Sequence, residues 1–217
     1  MQAVILAAGK GARLQPLTYG IPKPLIEIGG KTLITRVLEA LPESIDEIFI
    51  VVNHLREQII KSVGSRWNGK PIVYVIQEPL TGTAGAVLLL REHLRGSFLV
   101  INSDDLYVQS DLSILCTHPW ALLYFPTATE KHSGALVKDG RFVGLGTSKN
   151  AVCGAYVLGQ ELFDVDPVEI YVSDYLEYGL PQTLTNVIDE IGIAAIAATS
   201  WQQVGTPEEL AHARQML

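Results

Sequence analysis

Short apolar runs rich in Val and Ile recur through the first half of the chain, and stretches with helical periodicity separate them. Each run is short enough to be a buried strand, whereas the stretches between them place their apolar residues on one helical face. The predicted strands are residues 3–6, 47–52, 72–76, 98–101 and 121–125, and the predicted helices are residues 32–41, 55–63 and 84–94. Strands that alternate with helices at this spacing predict βαβ units and a mainly parallel sheet.

The pattern changes after residue 125, where the chain takes on a mixed α+β character. The dipeptide Asp139-Gly140 suits a type I′ turn, so residues 134–138 and 141–145 are predicted to form a hairpin. Thr206, Pro207 and Glu209 have the spacing of a helix start with a reciprocal cap. The other predictions are strands at residues 152–158 and 193–198 and short helices at residues 173–178 and 184–191.

Composition and charge narrow the class of protein. With 217 residues, 48% hydrophobic and 18% charged, we expect one folded domain over residues 1–217. No apolar run approaches the ~20 residues of a membrane span, and no export signal precedes the first run. The two cysteines form no disulfide framework, so we expect a cytoplasmic protein that binds no membrane. The net charge of −7 excludes a broad nucleic-acid surface, so any polyanion must be bound locally.

The loop after the first predicted strand offers such a local anion site. Gly9 and Gly11 allow a sharp turn in which backbone N–H groups come close to a ligand, and Lys10, Arg13 and Lys23 add positive charge. A lone Gly-x-Gly is most often only a tight turn, but this combination favours a triphosphate ligand. The loop is not a dinucleotide fingerprint, because Leu14 stands where that motif needs its third glycine.

A second glycine pair, Gly29-Gly30, precedes Lys31 and Thr32 in a way that suggests the end of a P-loop. The glycine that a P-loop requires five residues before Gly30 is Leu25, so that motif fails. We therefore predict that Gly29-Gly30 is a tight turn leading into the next helix.

These motifs resemble the signature of the sugar-phosphate nucleotidylyltransferases. The resemblance rests on LAAGKGARLQPLT at 6–18, PKPL at 22–25, IGGKTLI at 28–34, QEPL with GTAGA at 77–86, VINSD at 100–104, GAYV at 154–157, and Trp201 with VGTPEEL at 204–210. It implies a Rossmann-like α/β fold of the nucleotide-diphospho-sugar transferase type, with a mixed, mainly parallel central sheet and helices on both faces. The N-terminal half would bind nucleotide and a smaller α+β part would bind sugar phosphate. It also implies a minimal catalytic form, without the β-helix that larger members append.

The resemblance assigns roles to individual residues, with Arg13 and Lys23 as the catalytic residues that grip phosphate. The expected nucleotide-binding residues are Leu6, Ala7, Ala8, Gly9, Gly11, Ala12, Gln77, Gly82 and Thr83. Gly154 and Lys149 would meet the sugar phosphate, and Asp104 would bind Mg²⁺, the expected cofactor. From the residues alone, the turn at Gly82 could be structural, Asp104 could be an Asx turn or helix cap, and Lys149 could be a surface cation.

Two positions depart from the family pattern. Ser103 replaces the usual glycine before the metal-binding aspartate, and Gln203 replaces the aspartate of the Trp-x-Asp-Val-Gly-Thr signature. Gln203 would then be a second, neutral ligand to Mg²⁺ that supplies an oxygen but no charge. Magnesium sites often use one or two carboxylates together with substrate phosphates, so Asp104 could suffice at lower affinity.

The implied reaction transfers a nucleoside monophosphate from an NTP to a sugar 1-phosphate and releases pyrophosphate. Two alternatives stay open: a nucleotidyltransferase that uses a non-sugar phosphate such as choline phosphate, and a weak or silent homologue that binds nucleotide sugar and regulates a partner. The sequences at residues 78–80 and 204–207 are most similar to those of mannose-1-phosphate guanylyltransferases and related uridylyltransferases. The sequence predicts neither the NTP, the sugar nor the oligomeric state.

Overall fold

The computed structural model of the chain describes residues 1–172 and 175–216. The strands are β1 (Gln2–Ala7), β2 (Glu27–Ile28), β3 (Lys31–Thr32), β4 (Glu47–Val52), β5 (Arg66–Trp67), β6 (Lys70–Ile76), β7 (Phe98–Asn102), β8 (Asp105–Tyr107), β9 (Ala121–Lys138), β10 (Arg141–Leu158), β11 (Glu169–Val172), β12 (Tyr175–Tyr178), β13 (Ala194–Ala197) and β14 (Trp201–Gln203). The helices are α1 (Leu33–Ala40), α2 (Arg56–Val63), α3 (Gly82–Leu88), α4 (Gln109–Leu115), α5 (Leu180–Leu184) and α6 (Pro207–Met216). Short 3-10 turns lie at Ala12–Leu14, Leu17–Tyr19, Lys23–Leu25 and Gln160–Asp164.

The central sheet of the described residues has eight strands in the order β13-β9-β10-β7-β1-β4-β6-β5. β1 runs parallel to β4 on one side and to β7 on the other, and β6 extends the parallel set. β10 is antiparallel to both β7 and β9, and β5 is antiparallel to β6. The chain therefore builds outward from β1 in one direction and then returns to add β7 on the other side. The expected mixed, mainly parallel sheet is confirmed.

Helices cover both faces of this sheet because its strands are apolar on both sides. One buried cluster joins residues of α1, α2 and α4 to one face, and it includes Ile5 and Ile50 of the strands. A second cluster joins α3 and α5 to the opposite face, with Val4 and Val51 facing that way. The alternation of Val4 and Ile5 between the two clusters follows from the two-residue period of a strand.

Most of the elements that local patterns predicted are present with small changes in their bounds. Thr32 caps α1, since its hydroxyl accepts a hydrogen bond from the N–H of Thr35 at 3.2 Å. The turn between β9 and β10 has the predicted left-handed geometry, with φ of 49° at Asp139 and 73° at Gly140. The reciprocal cap of α6 also forms, because the Glu209 carboxylate accepts from the N–H of Thr206 and the Thr206 hydroxyl accepts from the N–H of Glu209.

Two predictions in the second half were wrong, and one strand was missed. Residues 175–178 form strand β12 rather than part of a helix, because they pair with β11; residues 173–174 of that prediction lie outside the described residues. The predicted helix at 184–191 is replaced by α5, which starts earlier with Pro181 in its first turn. Strand β14 was missed because three residues carry no readable period, and it forms only by pairing with β8.

Two further elements are present with different bounds. The strand expected at residues 121–125 continues to Lys138 and forms a long ribbon with β10. The helix expected at 84–94 begins at Gly82 and ends at Leu88, after which the chain continues in turns. Among the helices of the described residues, none is long and apolar enough to cross a membrane.

A third, smaller cluster joins the two ends of the chain. Val204 and Leu210 pack against Leu14, Ile26 and Ile28, and all of these side chains are buried. This packing fixes the C-terminal helix α6 beside the loop that follows β1. The residues just before α6 are therefore held against the glycine-containing loop.

Asp111 provides a test of how α4 is attached to the sheet. Its side chain is 2% exposed and accepts hydrogen bonds from the N–H and the hydroxyl of Thr199, just after β13. Asp111→Ala leaves the Thr199 N–H without this partner, so we expect the free energy of unfolding to fall by about 1–3 kcal/mol. Urea denaturation measures this loss, and Ser110→Ala, at an exposed neighbouring position, is the control. Equal stability of the two variants would contradict a structural role for Asp111.

Candidate active site

A cleft of about 620 Å³ opens at the carboxyl ends of β1 and β7, and we call it the central cleft. From β1 the chain continues to β4 on one side, and from β7 it continues to β9 on the other side, so the strand order reverses between these two strands. Such a reversal is the place where parallel α/β sheets bind ligands. The residues that line it are Leu6, Ala7, Ala8, Gly9, Lys10, Gly11, Ala12, Arg13, Lys23, Pro24, Gln77, Leu80, Gly82, Thr83, Ala86, Asn102, Ser103, Asp104, Val172, Tyr175, Leu176, Glu177 and Gly205. All the predicted nucleotide-binding residues are therefore brought together here.

The loop after β1 is held in shape by Gly11. Its φ is 64°, a left-handed value that favours glycine, and a Cβ there would lie 3.0 Å from Cγ2 of Thr18 and 3.1 Å from Cβ of Lys23. The Thr18 hydroxyl donates a hydrogen bond to the carbonyl of Gly11 at 2.9 Å. These contacts hold the loop against Thr18 and Lys23, so the loop backbone and the Lys23 side chain both line the central cleft.

Three cations face the cleft with very different exposure. Lys10 and Arg13 are exposed, whereas Lys23 is 8% exposed and forms an ion pair with Asp104. Arg13 lies against Gly205, where a Cβ would be 2.9 Å from its Nη2 atom. The N–H of Gly205 donates to the Glu209 carboxylate at 2.6 Å, so the cap of α6 also fixes the backbone beside Arg13.

The side chain of Gln77 is oriented by the loop that starts α3. Gln77 is 3% exposed, and its Nε2 donates to the Thr81 hydroxyl at 3.1 Å and to the Gly82 carbonyl at 2.9 Å. Both N–H groups of the amide are therefore committed to protein oxygens. The Oε1 atom is left as an acceptor on a residue that lines the central cleft.

Strand β12 closes one side of the cleft, which no local sequence pattern predicted. The N–H of Tyr178 donates to the carbonyl of Thr81 at 2.8 Å, and the N–H of Leu180 donates to the Thr83 hydroxyl at 2.9 Å. Through these bonds the hairpin β11–β12 brings Tyr175 and Glu177 to the cleft. Sequence reasoning missed both residues because it treated this segment as a helix.

The neighbouring carboxyl groups Asp104 and Asp105 point in different directions. Asp104 lines the cleft, whereas Asp105 is 4% exposed and accepts a hydrogen bond from the N–H of Val204 at 3.3 Å. Burial and the Asp104 carboxylate raise the pKa of Asp105 to about 8, although the positive charge of Lys23 opposes the shift. Asp105 is thus a structural carboxyl group behind the cleft.

Three of the predicted site residues lie outside the lining of the cleft as far as the described residues define it. Gln203 pairs with Asp105 across the β8–β14 ribbon. Gly154 has φ of 66°, and a Cβ there would overlap the amide of Asn102, so this glycine makes room for a cleft residue. Lys149 is exposed on the β9–β10 ribbon. Their roles toward sugar phosphate and metal remain predictions.

Comparison with known proteins gives one family match. Residues 2–119, just over half of the chain, match the family model described as nucleotidyl transferase. These residues contain the loop after β1, the Gln77 to Thr83 segment and Asp104.

Individual relatives extend the similarity to the rest of the chain. The bifunctional protein GlmU of Methanocaldococcus jannaschii is 28% identical over 100% of this chain and 54% of its own length. A mannose-1-phosphate guanyltransferase of Schizosaccharomyces pombe is 34% identical over 88% of this chain and 52% of its own length. The chain thus spans about half the length of these curated relatives.

Solved structures support the fold. A UDP-glucose pyrophosphorylase in complex with UDP-glucose superposes with a TM-score of 0.81 at 18% identity, covering 99% of this chain and 97% of that one. At this identity the likeness concerns the architecture, and it agrees with the Rossmann-like α/β fold expected from the sequence.

Gly82 allows a direct test of the contact between α3 and β12. Its φ is 84°, and a Cβ would lie 2.6 Å from the Tyr178 carbonyl oxygen and 2.8 Å from the Tyr178 nitrogen. Gly69 has nearly the same φ, 82°, but open space around its Cβ position. Both substitutions to Ala cost the left-handed backbone penalty of roughly 1–2 kcal/mol.

Gly82→Ala must in addition push β12 away, so we expect a further loss of about 1–3 kcal/mol relative to Gly69→Ala. Urea denaturation of the two variants measures the difference. Identical unfolding free energies would show that β12 does not press on Gly82 in solution.

Proposed function

The chain belongs to the nucleotidyl transferase family, and from this premise we propose that it transfers a nucleoside monophosphate from an NTP to a sugar 1-phosphate, giving an NDP-sugar and pyrophosphate. The observation that carries the proposal is the convergence of a glycine-shaped loop, three cations and the Asp104 carboxylate on a single cleft at the switch point of the sheet. Its volume of about 620 Å³ is suited to a ligand of nucleotide size.

The charge of the cleft supports a polyphosphate ligand. Lys10, Arg13 and Lys23 line it together with only two acidic residues, Asp104 and Glu177, among the described residues. The protein as a whole carries a net charge of −7, so this local excess of positive charge stands out against its surroundings. Backbone N–H groups of the loop after β1 add further donors without adding charge.

The proposed chemistry needs neither a protein nucleophile nor a general base. A phosphate monoester has a second pKa of about 6 and is mostly dianionic at neutral pH, so its oxygen can attack the α-phosphorus directly. Arg13 and Lys23 align the phosphates and balance the charge that develops on the departing pyrophosphate. Catalysis then rests on positioning and charge neutralisation.

The donor set fits a magnesium ion held largely by its substrate. Among residues 1–172 and 175–216, no three His, Cys, Asp or Glu side chains converge as a metal cluster. Asp104 is the cleft carboxylate next to the cleft cation Lys23, and Mg²⁺ is commonly bound by one or two carboxylates and substrate phosphates. When bound there, the ion would neutralise phosphate charge during transfer. Asp104 would hold it, with Gln203 as the candidate second ligand.

The orientation of Gln77 bears on which nucleotide is used. Both of its N–H groups are bonded to Thr81 and Gly82, so Oε1 is the atom of this amide that could meet a base, and it would accept a hydrogen bond. Uracil, thymine and guanine carry a ring N–H that can donate to this oxygen, whereas the corresponding ring nitrogens of cytosine and adenine are acceptors. Cytosine and adenine could reach this oxygen only through their exocyclic amino groups. The preference for UTP, dTTP or GTP with a sugar phosphate therefore rests also on the similarity to a mannose-1-phosphate guanyltransferase.

A turnover panel tests the proposed function. Pyrophosphate release is measured with each common NTP and a set of sugar 1-phosphates, with choline phosphate included. We expect turnover with a sugar 1-phosphate and with UTP, dTTP or GTP. Turnover only with CTP and choline phosphate would replace the proposal with its alternative. Nucleotide-sugar binding by calorimetry without any turnover would favour the silent homologue.

Arg13→Ala is the matching variant for the active pair of substrates. Loss of one preorganised cation at the phosphates is expected to lower kcat by roughly 10²-fold. Arg214→Ala removes the same charge from an exposed position on α6 and serves as the control. A near-wild-type rate for Arg13→Ala would remove Arg13 from the mechanism.

Gln203→Asp tests the second metal ligand. A carboxylate adds the charge that the amide lacks, so we expect a lower Mg²⁺ concentration at half-maximal rate. Gln202→Asp is the control, because Gln202 lines a separate surface groove between α1 and β14 rather than the central cleft. If both variants shift the requirement equally, or neither does, Gln203 lies outside the metal shell.

A further inference from the structure

The ion pair between Lys23 and Asp104 joins two groups that the proposed reaction uses separately. In the structure, Nζ of Lys23 contacts Oδ2 of Asp104, and the two side chains are 9% and 29% exposed. Lys23 is the group expected to grip phosphate, and Asp104 is the group expected to hold the divalent ion. While the two groups contact each other, each offers less of its charge to a phosphate or to a divalent ion.

A short turn fixes the backbone around Lys23. Lys23 starts a 3-10 turn after Pro22, with Leu25 N–H donating to the Pro22 carbonyl at 2.8 Å and Ile26 N–H donating to the Lys23 carbonyl at 3.0 Å. The stem of Lys23 also packs beside Gly11. The long side chain can therefore change its partner by rotation while its backbone stays fixed.

The pair is specific to Lys23 among the cleft cations. Lys10 and Arg13 line the same cleft but form no ion pair within the described part of the chain. They are free to meet an incoming phosphate at once, whereas Lys23 must first leave Asp104.

Because Gln203 is neutral, the pair between Lys23 and Asp104 has a larger effect on binding of a divalent ion. In a site with two carboxylates, one lysine would leave a net negative charge that still attracts a cation. Here Lys23 cancels the charge of Asp104, so a divalent ion arriving alone must compete with an ammonium group for a single carboxylate.

We propose that Lys23 is a lock on the metal-binding carboxylate and that the nucleotide opens it. In the free protein Lys23 occupies Asp104; the triphosphate then draws the ammonium to itself and exposes the carboxylate to the divalent ion. Ion and nucleotide consequently bind with positive cooperativity, and each raises the affinity for the other by the same factor. This inference rests on the proposed function, since it takes the phosphate and metal roles of the two residues from it.

Mn²⁺ binding to the nucleotide-free protein tests the lock without turnover. The Mn²⁺ that remains unbound is measured by electron paramagnetic resonance. We expect weak binding to the wild type and binding tighter by at least about fivefold for Lys23→Met, a change typical of coupled sites. Lys10→Met removes a cleft cation that makes no ion pair and should shift the affinity much less. Equal or weaker Mn²⁺ binding by Lys23→Met than by the wild type would overturn the proposal.

A second, metal-free measurement does not depend on folding of the Lys23 variant. Asp104→Asn releases Lys23, so its affinity for inorganic tripolyphosphate in EDTA should exceed that of the wild type by at least about fivefold. Glu177→Gln removes the other acidic charge of the cleft and controls for simple repulsion. An Asp104→Asn affinity no higher than that of Glu177→Gln would contradict the lock. Neither measurement requires an active enzyme, so failure of the turnover panel and failure of the lock can be told apart.

Discussion

The constraint on which the site depends is the reversal of strand order between β1 and β7. Because the chain builds β4 and β6 on one side of β1 and β7 on the other, the segments that leave β1 and β7 diverge and open a crevice. The loop with Gly11 follows β1, and Asp104 follows β7, so the groups that we propose to bind phosphate and metal face the same crevice. Parallel pairing of two buried, apolar strands is what sets their separation.

Two distant segments complete the crevice. The small cluster around Val204 and Leu210 docks the start of α6 on the loop after β1, and this puts Gly205 against Arg13. On the other side, main-chain hydrogen bonds tie Tyr178 to Thr81 and bring β12 beside the loop that orients Gln77. The first connection is made by buried apolar side chains and the second by backbone groups, so neither occupies the polar side chains that face the cleft.

The two neighbouring carboxyl groups Asp104 and Asp105 differ in their relation to the cleft. Asp105 is buried behind it with a pKa raised to about 8, which leaves Asp104 as the carboxyl group on the ligand side near Lys23. The single positive charge of Lys23 would then neutralise Asp104 in the free protein and a phosphate group in the complex. The presence of Gln203 rather than a second acid is consistent with such an arrangement, because no further negative charge then needs to be balanced.

The sequence by itself determined the parallel strands, the Asp139-Gly140 hairpin, the cap of α6 and the glycine loop, because each depends on residues close together in the chain. With the family resemblance, it also identified Arg13, Lys23, Gln77 and Asp104, all of which line one cleft. Tertiary structure alone decided that β12 is a strand at this cleft, that Lys23 pairs with Asp104, and that Gln203 faces Asp105 while Lys149 lies on an exposed ribbon. These features arise from contacts between segments far apart in the chain, for which local periodicity and propensity carry no signal.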